Sequence, residues 1–131
     1  MKKVKQTIVI DRSAHEVFNF TLNPENTPKW IDSIVTEHTN ETPTKLGTVY
    51  KNQDPEGNWK EYEVTAFEPD TMFVFSRRNG SYHVKYTLKS LNDSQCELEY
   101  SEWDENGDMS ELFDSESLKK VLEKLKTVVE K

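Results

Sequence analysis

Leu118-Lys119-Lys120-Val121-Leu122-Glu123-Lys124-Leu125-Lys126-Thr127-Val128-Val129 is the stretch that decides how the rest of this chain must fold. Leu118, Val121, Leu122, Leu125, Val128 and Val129 recur at helical spacing and form one stripe of a long amphipathic helix. Asp114 or Ser115 is placed to start it. The long tract before it reads almost entirely with a period of two, as strands. A single long helix closing a strand-rich chain can bury its stripe only against a sheet, and the sheet must curve to grip it. A curved sheet gripping a long helix often leaves a hollow between them. Ligand binding is therefore the leading functional expectation, with no self-evident catalytic motif beside it.

The spacing predicts a first strand over residues 3–10, with Val4, Ile8 and Ile10 on one face. Ser13-Ala14-His15-Glu16 has the form of a capping box, and Val17, Phe18 and Leu22 follow as the buried face of a short helix. Pro24 ends it. Residues 26–31 read as a second short helix or turn, with Pro28 at its first position and Trp30, Ile31 and Ile34 facing inward. Strands are then expected over residues 34–40, 47–53, 58–67, 71–78, 81–91 and 95–103. Asp54-Pro55-Glu56-Gly57, Glu68-Pro69-Asp70, Asn79-Gly80 and Asn92-Asp93 separate the later ones. Such short connections imply an antiparallel meander. Alternation puts Tyr82, Val84, Tyr86 and Leu88 inward, matched by Cys96, Leu98 and Tyr100, by Phe73 and Phe75, and by Tyr62, Val64 and Ala66.

The chain has 131 residues, a net charge of −7 and 31% charged residues, which fits one domain with a small core under a charged skin. The 11% of aromatic residues compensates in part for a low apolar content, because each ring buries a large area. The acidic balance argues against a nucleic-acid or anionic-membrane surface, which needs clustered Lys and Arg. Cys96 is the single cysteine, so no intrachain disulfide can form. No apolar run approaches a membrane span or a secretory signal, and cytoplasm is the expected compartment.

Several pieces together resemble the START-like (SRPBCC) superfamily with the helix-grip fold, in its polyketide cyclase/dehydrase-like branch, akin to Bet v 1. They are Ile10-Asp11-Arg12-Ser13-Ala14-His15-Glu16-Val17-Phe18, the segment from Asn23-Pro24 to Lys29-Trp30, Leu46-Gly47-Thr48 and Val64-Thr65-Ala66-Phe67-Glu68-Pro69-Asp70, completed by the closing helix. The resemblance implies an α+β fold: a curved seven-stranded antiparallel sheet wrapped around the C-terminal helix, with two short helices after the first strand. It covers residues 3–131, within a single expected domain of residues 1–131. It also implies an elongated cavity for a lipid-, sterol- or polyketide-like molecule. It implies no catalytic residue, because members range from carriers and receptors to cyclases and chaperone cofactors.

The candidate cavity lining is Trp30, Tyr62, Val64, Phe73, Phe75 and Arg77, with Tyr82, Tyr86, Tyr100, Met109, Phe113 and Leu122. Inward tyrosines suit a mostly apolar pocket that needs a few oriented hydroxyls, or else serve as core residues. Arg77 suits a guanidinium at the cavity mouth, or else a strand end in solvent. Residues 104–113 read either as a lid or as an ordinary connection. Glu61, Glu63 and Asp32 are the carboxylates considered for acid–base work. The histidines His15, His38 and His83 have no metal-ligand spacing. The expected partner is a small hydrophobic molecule, bound without catalysis, cofactor, metal or nucleic acid. The alternatives are a cyclase-type enzyme and a chaperone-type interaction module.

Overall fold

The computed structural model describes residues 3–108, 110 and 112–131. The alternating stretches form seven strands: β1 (Lys3–Ile10), β2 (Thr36–Thr39), β3 (Val49–Gln53), β4 (Trp59–Glu68), β5 (Met72–Arg77), β6 (Tyr82–Asn92) and β7 (Gln95–Asp104). Two α-helices, α1 (Ala14–Leu22) and α2 (Ser115–Val129), accompany them. The strands make one curved sheet in the order β1-β7-β6-β5-β4-β3-β2, every neighbouring pair antiparallel. β2 to β7 form the meander. The first strand closes against the last, so α1 and its sequel carry the chain from one sheet edge to the other.

Local chemistry sets the ends of the helices. Ser13 caps α1 by accepting the Glu16 amide at 3.1 Å, and Glu16 Oε1 accepts the Ser13 hydroxyl at 3.2 Å. Asp114 caps α2 by accepting the Ser117 amide at 2.8 Å. Leu118, Leu122 and Leu125 are buried, with Val121 and Val129 packed beside them. α2 packs most closely against β1, where Gln6 Nε2 donates to Ser115 Oγ at 2.8 Å and Lys126 Nζ donates to the Val9 carbonyl at 3.0 Å. The helix therefore lies towards one side of the sheet.

Two expectations need correction. The second short helix is only a 3-10 turn, Thr27–Lys29. Pro28 stands at its start, and it stops where Trp30 leaves helical geometry at φ −131°. Ala66 does not share a face with Tyr62 and Val64. A bulge between Val64 and Ala66 inserts Thr65, so that Ala66 pairs with Val74 and Phe67 pairs with Phe73. Phe67 takes the inward place and packs edge-on against Phe18, with ring centroids 5.6 Å apart.

Candidate ligand-binding site

The concave face holds a cavity of about 420 Å³, within the range of small-molecule sites. Its wall comes from the C-terminal end of α1, the chain around the 3-10 turn, β2 to β7 and Phe113. None of it comes from α2. The expected place for the cavity, between sheet and C-terminal helix, is corrected accordingly: α2 lies over β1, and the open space lies between the sheet and the α1-to-β2 crossing.

All five tyrosines of the chain line this cavity, and their hydroxyls differ in what they touch. Tyr50 donates to the Leu22 carbonyl and meets the Thr44 hydroxyl, so it ties β3 to α1. Tyr82 and Tyr100 both donate to Glu102 Oε1, at 2.6 and 3.1 Å. Tyr62 lies under the Arg77 guanidinium, 5.8 Å from the ring centroid. Tyr86 is 4% exposed and stacks on Phe73 at 4.4 Å. Its hydroxyl has no hydrogen-bond partner among the described residues. Burial pushes the phenols of Tyr82, Tyr86 and Tyr100 well above their ordinary value, and nearby carboxylates add to it.

Two carboxylates belong to the wall. Glu102 is 0% exposed. Besides the two phenols on Oε1, its Oε2 accepts the Phe113 amide at 2.9 Å, which pins the segment ahead of α2 onto β7. Glu37, half-buried on β2, accepts the Thr27 hydroxyl on Oε1 at 2.6 Å and Asn52 Nδ2 on Oε2 at 3.2 Å. Burial raises the carboxyl of each above its ordinary value, against the hydrogen bonds that lower it. Desolvation of the charged form is the larger effect at both.

Tyr62, Phe75, Tyr82, Tyr86, Tyr100 and Phe113 thus share one wall. Trp30, Val64, Phe73 and Leu122 are at most 1% exposed and lie outside it. Trp30 and Phe73 both pack against Tyr86, which faces the open space in their stead. Leu122 is core against β1 because α2 is set to that side. Arg77 is also outside the wall, its guanidinium held over Tyr62. Met109 lies outside the described residues. Glu61, Glu63 and Asp32 are not in the wall either: Glu61 pairs with Arg78 at 3.2 Å, Asp32 pairs with Lys124, and Glu63 shares the outer face with Ser76.

Sequence reasoning missed Glu37, Tyr50 and Glu102. The alternation that placed Cys96, Leu98 and Tyr100 inward continues to Glu102, so that signal was present. Tyr50 and Asn52 also alternate with an exposed Lys51. Glu37 lies in Thr-Glu-His-Thr, a strand with no apolar residue, and carried no signal. Among the described residues no group of His, Cys, Asp and Glu is arranged to hold a metal ion, and no helix is long and apolar enough to cross a membrane.

Comparison with the curated proteins finds no match. Among solved structures, one similar fold is the di-domain ARO/CYC BexL from the BE-7585A biosynthetic pathway, with TM-score 0.76, 14% identity, and 99% of this chain and 47% of that chain covered. The Aha1 dimer from Colwellia psychrerythraea gives TM-score 0.72 and 15% identity, covering 99% of this chain and 97% of that one. Norcoclaurine synthase from Thalictrum flavum gives 0.68 and 10%, covering 98% and 93%. At such identities these likenesses concern the fold. The family described as polyketide cyclase / dehydrase and lipid transport matches residues 1–130. With a helix-grip sheet, and a family match over nearly its whole length, the chain belongs to the polyketide cyclase / dehydrase and lipid transport family.

Proposed function

We infer that this protein binds a small, largely apolar molecule in the cavity above β2 to β7, without transforming it. The observation that carries the reading is Tyr86: its hydroxyl opens onto a cavity of about 420 Å³ and has no partner among the described residues. A hydroxyl that opens onto a cavity takes its partner from what fills the cavity, a ligand or water. The aromatic walls supply apolar contact and the hydroxyl supplies orientation. Tyr62, Phe75, Tyr82, Tyr100 and Phe113 are the remaining proposed contacts.

A second reading, as an enzyme, is favoured by Glu102. A carboxyl raised by burial beside two phenols is the kind of group that general acid catalysis uses. Against it, both oxygens of Glu102 already accept hydrogen bonds from Tyr82, Tyr100 and Phe113. That is the pattern of a structural anchor.

The test is native mass spectrometry of the purified protein, followed by calorimetric titration with naphthalenemethanol, a neutral bicyclic probe. A one-to-one complex is expected, weakened several-fold by Tyr86→Phe with the melting temperature kept. That loss is what one hydrogen bond to a neutral partner contributes, roughly 0.5–1.5 kcal/mol. A ligand-free mass together with no titration heat overturns the reading.

A further inference from the structure

We propose that the ligand of this cavity is an organic cation: a protonated amine on an aromatic or otherwise apolar body, with its ammonium directed to Glu37. The proposal rests on the reading of the cavity as a ligand site and names the chemistry that the site selects.

The charges of the wall point this way. Among the described residues, Glu37, Asp54, Glu56 and Glu102 line the cavity, against one ammonium, Lys60. Arg77, the guanidinium expected at the mouth to hold an anion, lies outside the wall over the Tyr62 ring. A cleft lined by an excess of one sign, with apolar walls, concentrates the field inside it and draws in the opposite charge. An anionic ligand would meet that field as a repulsion.

The rings point the same way. Seven aromatic side chains line the space: the five tyrosines, Phe75 and Phe113. Rings of this kind attract a cation, most strongly where water is excluded, as Tyr62 already does with Arg77. The Tyr86 hydroxyl, without a partner among the described residues, opens onto the same cavity and can accept an N–H. Glu37 and Glu102 line the same cavity as Tyr86, and the charge of each adds to burial in raising this phenol.

Glu37 is the better ammonium partner of the two. Glu102 is fully buried, and its two oxygens take three hydrogen bonds from the protein. Glu37 takes one on each oxygen, from Thr27 and from Asn52. Each Glu37 oxygen keeps a lone pair for a further donor. Burial raises the Glu37 carboxyl by stripping water from its charged form, and an ammonium from the ligand offsets that cost. A metal ion fits less well, because the wall carboxylates do not come together as a ligand cluster.

The test uses three probes with one ring system: naphthylmethylamine, naphthalenemethanol and naphthoic acid, which at neutral pH are cationic, neutral and anionic. Each is titrated into the wild-type chain by calorimetry, and into Glu37→Gln checked for its melting temperature. The amine is expected to bind roughly tenfold tighter than the alcohol, and the acid more weakly than either, as a charge-assisted bond to Glu37 requires. Glu37→Gln is expected to bring the amine down to the level of the alcohol. Equal affinity of amine and alcohol, or a preference for the acid, overturns the proposal and leaves the ligand-site reading standing. Failure of all three to bind overturns the ligand-site reading itself. The wild-type series decides between these outcomes even if Glu37→Gln does not fold.

Discussion

Glu102 shows what a single side chain can do in this interior. It sits between Val84 on β6 and Val4 on β1, both apolar neighbours. Burial raises its carboxyl above the ordinary 4.5. The protonated form is thus favoured in the folded chain relative to the unfolded one. Its contribution to stability is fully present below the unfolded value and is lost as pH rises through the raised folded value. Glu37 acts with the same sign. Asp54, Asp108, Asp114 and Glu130 are lowered by hydrogen bonds, chiefly from backbone amides, and act with the opposite sign. Comparison with Glu102→Gln cancels these background groups. Gln keeps an acceptor for the two phenols but turns an amino group towards the Phe113 amide, which shifts the overall level and not the slope. Urea unfolding from about pH 4 upward is expected to show the wild type losing stability relative to Glu102→Gln as pH rises. A pH-independent difference between the two would contradict the buried, raised carboxyl. At this scale the sequence was legible wherever alternation ran through apolar residues. Tyr82, Tyr86, Tyr100 and Cys96 are all buried on the expected face. It was not legible for Glu37, because a short edge strand of polar residues looks the same whether it faces water or a cavity.

At the scale of elements, α2 was the most readable part of the chain and gives the sharpest stability prediction. Leu118, Leu122 and Leu125 are each at most 1% exposed. Truncating one such leucine costs about 2–5 kcal/mol through lost transfer and cavity formation. Placing a carboxylate there adds the cost of an unpaired buried charge. Leu122→Asp is therefore expected to abolish the cooperative thermal transition followed by circular dichroism, since a domain of this size is only about 5–15 kcal/mol stable. A variant that melts as the wild type does would remove α2 from the core. Strand ends followed the turn residues closely, from Asp54 to Gly57 and around Asn79-Gly80. Gly57 takes φ +89°, and Asp54 Oδ1 accepts the amides of Glu56 and Asn58 at 3.0 and 2.9 Å. The β4 bulge was not readable, because nothing in Val64-Thr65-Ala66-Phe67 separates an inserted residue from a continuous strand. Its effect reaches the site indirectly. By turning Phe67 inward onto Phe18, it fixes α1 against the sheet.

For the whole molecule, the decisive fact is that α2 and the cavity occupy different parts of the concave face. α2 covers β1, while the open wall runs from β2 to β7 beneath the α1-to-β2 crossing. A ligand bound there orders the crossing and not the helix. Hydrogen exchange with a bound probe is expected to slow amides around Thr27 to Glu37 and on β3, and to leave those of α2 unchanged. Protection confined to α2 would move the binding site back beneath the helix. The elements, their antiparallel order and, apart from the β4 bulge, the inward faces were legible in the chain alone, because periodicity and turn chemistry are local properties. Where the hollow lies, which carboxylates enter its wall and which tyrosine hydroxyl has no partner among the described residues were settled by the folded chain. Those depend on the curvature of the sheet and on the side towards which α2 leans, and both are set by contacts between residues far apart in the chain.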